Sequence, residues 1–175
     1  MMAAMTLEHR TLQPKTSPFP QVIANAERTM HGIEITGEIE IKVYSPDWEL
    51  INTHKQKNLT VNTALNALAT AVQNNSNPFV TTPTIKMGTS ATAASASQTD
   101  LIAAVVDTNE LLARIKSGYS TKTTYLFSPT VARDYAETGI FFGSTMWARV
   151  VLSPIVSVPA NGFHIHSWTI NFAAG

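Results

Sequence analysis

Two histidines, His164 and His166, stand two residues apart in a run of strand-forming residues near the end of the chain. Alternation along a strand puts both imidazoles on one face, within reach of a single metal ion. Two ligands are too few for a metal centre, and His9, His31 and His54 fall at spacings that do not complete a set. The expectation is a pair of ordinary surface or interface histidines, which copies meeting on a symmetry axis would gather. A metal-assisted hydrolase built on them is the remotest reading.

Other routes to chemistry are thinner. Asp134 with Glu137, and Glu38 with Glu40, read as solvated pairs. Acid catalysis needs one carboxyl held in an apolar pocket, and no flanking residues predict that. No glycine falls in a phosphate-cradling pattern, so nucleotide binding has no support. Tyr125, Phe127, Phe141, Phe142, Trp147, Phe163 and Trp168 gather in the second half. Such rings can stack sugars or bases, but strand parity and the lack of interleaved Lys and Arg favour core and subunit interface. The residues predict no enzyme, no cofactor and no metal beyond the weak pair His164 and His166.

The elements that must position these side chains are legible from period. Ile33, Ile35, Ile39, Ile41 and Val43 alternate with Glu34, Thr36, Glu38, Glu40 and Lys42, a half-buried strand. Gly37 takes an apolar position in it, which predicts a bulge or a close approach. Ser45, Pro46 and Asp47 supply a turn into a returning strand at Trp48–Thr53. Leu65, Leu68, Ala69 and Val72 then fall at helical spacing, predicting a helix over 62–73 whose stripe faces a core. Asn62 or Thr63 would cap its start, and Asn74–Pro78 would end it. A short apolar segment at Ile85–Thr89 and one helical turn near Gln98–Val106 follow.

Strands are predicted at Leu111–Ile115, Lys122–Phe127, Gly139–Phe142, Met146–Leu152 and Phe163–Phe172. Asn161-Gly162 predicts a tight hairpin closing the last two. In the final strand Phe163 and Ile165 take one parity while Trp168, Ile170 and Phe172 take the other, so a bulge near Ser167 is expected.

The chain has 175 residues, apolar types make up 44%, and twelve basic residues balance twelve acidic ones. That length supports one ordinary domain with a core. The charge balance favours neither nucleic acid nor an anionic membrane as partner. No cysteine is present, which excludes disulfides and thiolate metal sites. No apolar run approaches the roughly 18 to 20 residues of a membrane helix, and the start has no secretory-signal pattern, so a soluble, unexported protein is expected. The few charges and abundant Thr, Ser, Asn and Ala give a neutral surface with little to keep copies apart.

The fold these elements predict is mainly β: an antiparallel β-sandwich or jelly-roll-like domain over 31–175, with one short α-helix. The first thirty residues, with Pro14, Pro18 and Pro20 and no apolar period, read as an extended arm.

In order and spacing the segments resemble small structural proteins of tailed bacteriophages, of the tail, fibre, baseplate-associated or head-decoration type. The pieces are the hairpin Ile33–Leu50, Asn58-Leu59-Thr60-Val61-Asn62 leading into the helix, Ile85-Lys86-Met87-Gly88-Thr89-Ser90, and Thr99-Asp100-Leu101. Glu137–Phe142, Met146–Val150 and the closing Trp168–Phe172 complete the set. The resemblance spans roughly residues 33 to 172. It implies a non-enzymatic virion subunit, present in repeated copies and assembled in the host bacterial cytoplasm, with no catalytic residues to carry over.

The expected partners are copies of the chain, as a trimer or hexamer, and other virion proteins. The interface candidates are Pro14, Pro18, Phe19, Pro20, Trp147, His164, His166 and Trp168. The alternative is a host-surface glycan-binding module of the same particle, using aromatics such as Trp147 and the loop Asn74–Thr82.

Overall fold

In the computed structural model, residues 33–174 are described, and they form a single unit. The expected arm, with Pro14, Pro18, Phe19 and Pro20, lies outside the described residues. Ten strands and one helix follow in order: β1 (Ile33–Tyr44), β2 (Leu50–Lys57), β3 (Leu59–Thr60), α1 (Asn62–Asn74), β4 (Pro83–Gly88), β5 (Ala104–Val105), β6 (Thr108–Ser117), β7 (Ser120–Ser128), β8 (Arg133–Phe142), β9 (Thr145–Val158) and β10 (Phe163–Ala174). They make two five-stranded antiparallel sheets, ordered β2-β1-β10-β7-β6 and β3-β9-β8-β4-β5. The protein is a β-sandwich.

Its interior is built from the inward parity of both sheets. Ile39, Ile41 and Val43 of β1 meet Tyr125 and Phe127 of β7, Ile85 and Met87 of β4, and Val150, Leu152, Val156 and Val158 of β9. The outward parity of β1 carries the carboxylates, with Lys55 bound to Glu40 at 3.0 Å. Gly37 lies in an unbroken register with Ile170, so no bulge forms there. The close approach is that of Asn58, whose amide donates to the Gly37 carbonyl at 3.0 Å. A Cβ on Gly37 would collide with the Asn58 side chain and lie 3.0 Å from the Thr169 carbonyl.

The β1–β2 turn forms as its residues predict, with Ser45 Oγ accepting from the amides of Asp47 and Glu49, each at 3.2 Å. The helix is also present, but its buried face is different. Val61, Ala64 and Ala71 are buried, with Ala67 and Leu68 packed against the core, while Leu65 and Val72 point outward and Val72 is 85% exposed. Alanine lets the helix backbone lie close on the sheet, so Ala64 and Ala71 take the inner face with Leu68 at its border, while Leu65 and Val72 are displaced to solvent. The residue before the helix is Val61, with no side-chain cap, and Asn75 ends it in the left-handed region at φ 48°. Thr63 instead donates its hydroxyl to the Met146 carbonyl, fastening the helix to β9.

Three further expectations are corrected. Asn161-Gly162 does not close a hairpin, because β9 belongs to one sheet and β10 to the other. It turns the chain between layers instead, with Asn161 at φ 56° and the Gly162 amide donating to the Pro159 carbonyl at 3.0 Å. No helical turn forms over Gln98–Val106. There the amides of Ile102 and Ala103 donate to Glu137, which holds the chain extended into β5. Finally, β10 runs in continuous register with both neighbours through Ser167. The parity never slips, because His164 and His166 occupy core positions in line with Trp168 and Ile170.

Candidate functional site

β10 places its inward residues between β1 and β7, facing the second sheet. His164 and His166 are fully buried there, as is Trp168. The His164 ring stacks on Phe127 at 4.8 Å, nearly parallel to it, and meets Tyr135 edge-on at 5.1 Å. His166 stacks on Trp168 at 5.8 Å, and its Nδ1 lies 3.3 Å from the Met87 sulfur. Among the described residues neither nitrogen of His164 has a hydrogen-bond partner, and His166 Nε2 and Trp168 Nε1 are also unpaired.

Burial therefore favours the neutral imidazole at both positions. It pushes His164 down to about 3, the charge of Asp107 opposing it only in part. It lowers His166 well below the ordinary range, with the neighbouring His164 and His54 adding to the effect. The two ring centres are 6.4 Å apart. Among the described residues no group of three or more His, Cys, Asp or Glu side chains converges as a metal ion would need.

These histidines are thus interior residues, not surface or interface ones. The same correction applies to Trp147 and Trp168, which were interface candidates and which the sandwich encloses. Trp147 packs against Phe79 at 4.8 Å and Phe142 at 4.9 Å beneath the chain that follows α1. No face of it is offered to a glycan. Trp48 and Tyr119 are the strongly exposed aromatics among the described residues, and they lie at turns at opposite ends of the first sheet.

Two ionic arrangements escaped the reading of the sequence. Glu137 is not solvated beside Asp134. It is fully buried on the outer face of the second sheet, 2.8 Å from the equally buried Arg149. Arg149 also donates to Gln98 Oε1 and to the Thr92 carbonyl, each at 3.0 Å, and Glu137 accepts from the amides of Ala103 at 2.7 Å and Ile102 at 3.2 Å. The pair pins the segment 89–103 as a strap whose Leu101 packs with Val61, Phe141 and Met146. An arginine inside the apolar run Met146–Leu152 was the one signal available, since its partners lie on distant parts of the chain.

The second arrangement sits where the chain passes from β5 to β6. Asp107 accepts from Tyr135 Oη at 2.6 Å and from Arg133 Nε at 3.2 Å. Burial first, then the hydrogen bond to Asp107, raises the Tyr135 hydroxyl above its usual range, so it remains a proton donor. Both carboxylate oxygens are thereby occupied, and the group serves to hold the crossover in place.

Beside Asp107 the surface opens into a groove of about 310 Å³, lined by Ile85, Met87, Val105, Val106, Asn109 and Phe127 among others. Val106 is 96% exposed, and Ile102, Leu111, Leu112 and Ile115 are exposed nearby in sequence. Every residue of β6 except Ala113 is exposed, although the strand belongs to a five-stranded sheet. No family model, no curated protein and no solved structure matches the chain.

Proposed function

We propose that this chain is a non-enzymatic structural subunit that assembles with copies of itself and with other proteins of a particle, and that the particle is a tailed-phage virion. The observation that carries the assembly reading is the apolar margin of β5 and β6. Scattered exposed apolar side chains are ordinary, but Leu111, Leu112 and Ile115 lie on β6 and Val106 just before it, and among the described residues the far edge of β6 carries no partner. Such an edge offers both apolar area and unpaired backbone groups to another chain. The phage assignment rests on the resemblance of segment order, from the Ile33–Leu50 hairpin to Trp168–Phe172.

The polar groups that could do chemistry support the same reading. His164, His166, Glu137 and Arg149 are enclosed, and the Asp107 carboxylate is taken up by Tyr135 and Arg133. The test is the native mass of the full chain across a concentration series. A discrete oligomer is expected, and a monomer at every concentration would refute the proposal.

A further inference from the structure

The two sheets differ in width on one side. β6 is the outermost strand of the first sheet, whereas its counterpart at the margin of the second, β5, covers only Met87 and Gly88 of β4. Pro83–Lys86 therefore have β8 on one side and, among the described residues, no strand on the other. Backbone groups turned to that side lack ladder partners. The Tyr125 hydroxyl donates to the Pro83 carbonyl at 3.0 Å, which sets this bare stretch over β7. Tyr125 in turn pairs with Leu111 on the overhanging β6. The groove beside Val105 and Phe127 lies at the same margin and has room for side chains rather than for a single water. A strand laid along Pro83–Lys86 would satisfy the open edge and cover this apolar floor together.

We propose that this slot receives Gln21–Glu27 of a second copy as an added strand, an inference that rests on the assembly reading above. The segment is the proline-free run between Pro20 and β1. Proline cannot donate to a ladder, so the stretch containing Pro14, Pro18 and Pro20 is a poor donor. Within Gln21–Glu27, Val22, Ala24 and Ala26 share one parity. Laid in the slot as a strand, it would set Val22, Ala24 and Ala26 against Ile85, Met87 and Val105 and place Gln21, Ile23, Asn25 and Glu27 on the other face.

Chain length requires the donor to be a neighbour. From Glu27 to Ile33 the backbone spans at most about 22 Å. Ile33 pairs with Ala174, and the level of Tyr125 on that strand is His166. That separation is about 27 Å along β10, before a further crossing of roughly 10 Å to the other sheet. The segment of the same chain falls short. The contact closes either as a reciprocal exchange between two copies about a two-fold axis or, repeated head-to-tail, as a ring.

The chain has no cysteine, so introduced ones report without interference. Full-length Asn25→Cys and Thr84→Cys chains, both substituted on outward-facing positions, mixed and mildly oxidised, are expected to give a covalent dimer whose peptide map links positions 25 and 84. Val106→Asp in the acceptor chain is expected to abolish that product, and Leu65→Asp on the outer face of α1 is expected to leave it intact. Absence of the link in chains that still associate would overturn the slot and leave the assembly reading standing. A link formed within one chain of a doubly substituted variant would overturn it equally. Chains that never associate would overturn both.

Discussion

The guanidinium of Arg149 and the carboxylate of Glu137 meet at 2.8 Å with neither side chain exposed to solvent. Buried ion pairs are costly to form and costlier to break, because a lone buried charge keeps its desolvation penalty with nothing to offset it. Arg149→Met is therefore expected to destabilise the fold by about 3 to 5 kcal/mol. The double variant Arg149→Met with Glu137→Leu should cost less than the two single changes together, as measured by urea unfolding. Hydrogen exchange should show the 89–103 strap opening in the single variants, since Thr92, Gln98, Ile102 and Ala103 lose their anchors.

Stability should fall on mild acidification. His164 and His166 are neutral in the fold and titrate near 6.5 once unfolded, so the unfolded chain takes up protons first as pH drops. Their contribution is complete above about pH 6.5 and declines below it, by about 1.4 kcal/mol per pH unit for each residue while the folded state resists protonation. For His164 that window extends down to about 3. Thermal midpoints measured at pH 7.5 and pH 5 should differ markedly. His164→Phe should shrink the difference while keeping the stack on Phe127.

Trp168→Ala should cost about 3 to 5 kcal/mol in unfolding experiments, as truncation of a large core side chain does. If Trp168 instead served only at a contact between copies, unfolding of the dilute chain would be unchanged and association alone would weaken.

The helix register has its own test. Ala64→Leu forces extra volume against the sheet and should cost about 1 to 3 kcal/mol. Val72→Asp, on the outer face, should stay within about 0.5 kcal/mol. The opposite ranking would restore the stripe of Leu65, Leu68, Ala69 and Val72 to the inside.

Replacing Gly37 by alanine should destabilise by about 1 to 3 kcal/mol, because the new methyl group displaces the Asn58 side chain between β1 and the start of β3. Denaturant midpoints for Gly37→Ala against the unaltered chain check this.

Where one face of an element was wet and the other dry, the sequence was a sufficient guide. β1 is such a case, and so is the turn at Ser45, whose hydroxyl binds the amides it was expected to bind. Reading failed where polarity and burial part company. Counting His164 and His166 as polar made the alternation of β10 look broken, when the imidazoles were simply core residues in their neutral form. The same assumption placed Glu137 in solvent, because its partner Arg149 lies across a hairpin and its other contacts come from the 89–103 strap. Asn161-Gly162 specified a turn correctly, yet local residues carry no information on whether a turn joins neighbours in one sheet or passes between two. In α1 both faces were apolar enough to serve, and only the proximity of β9 decided for the alanines. The groove at β5 had no local signature, since it arises from the unequal widths of two sheets whose strands are far apart in sequence.

The position of β10 governs the order in which the molecule can be completed. Among the described residues β10 follows the other nine strands in sequence, yet it lies at the centre of the first sheet and bridges the β2–β1 and β7–β6 hairpins. During synthesis those hairpins must wait as separate ribbons, while β3, β4, β5, β8 and β9 already have every partner they need. Completion of the first sheet is thus deferred until β10 emerges, and pairings across so long a stretch of chain form slowly. A chain cut off just before Phe163 would hold one sheet with all its strands and the other as two unjoined hairpins, with apolar faces bare.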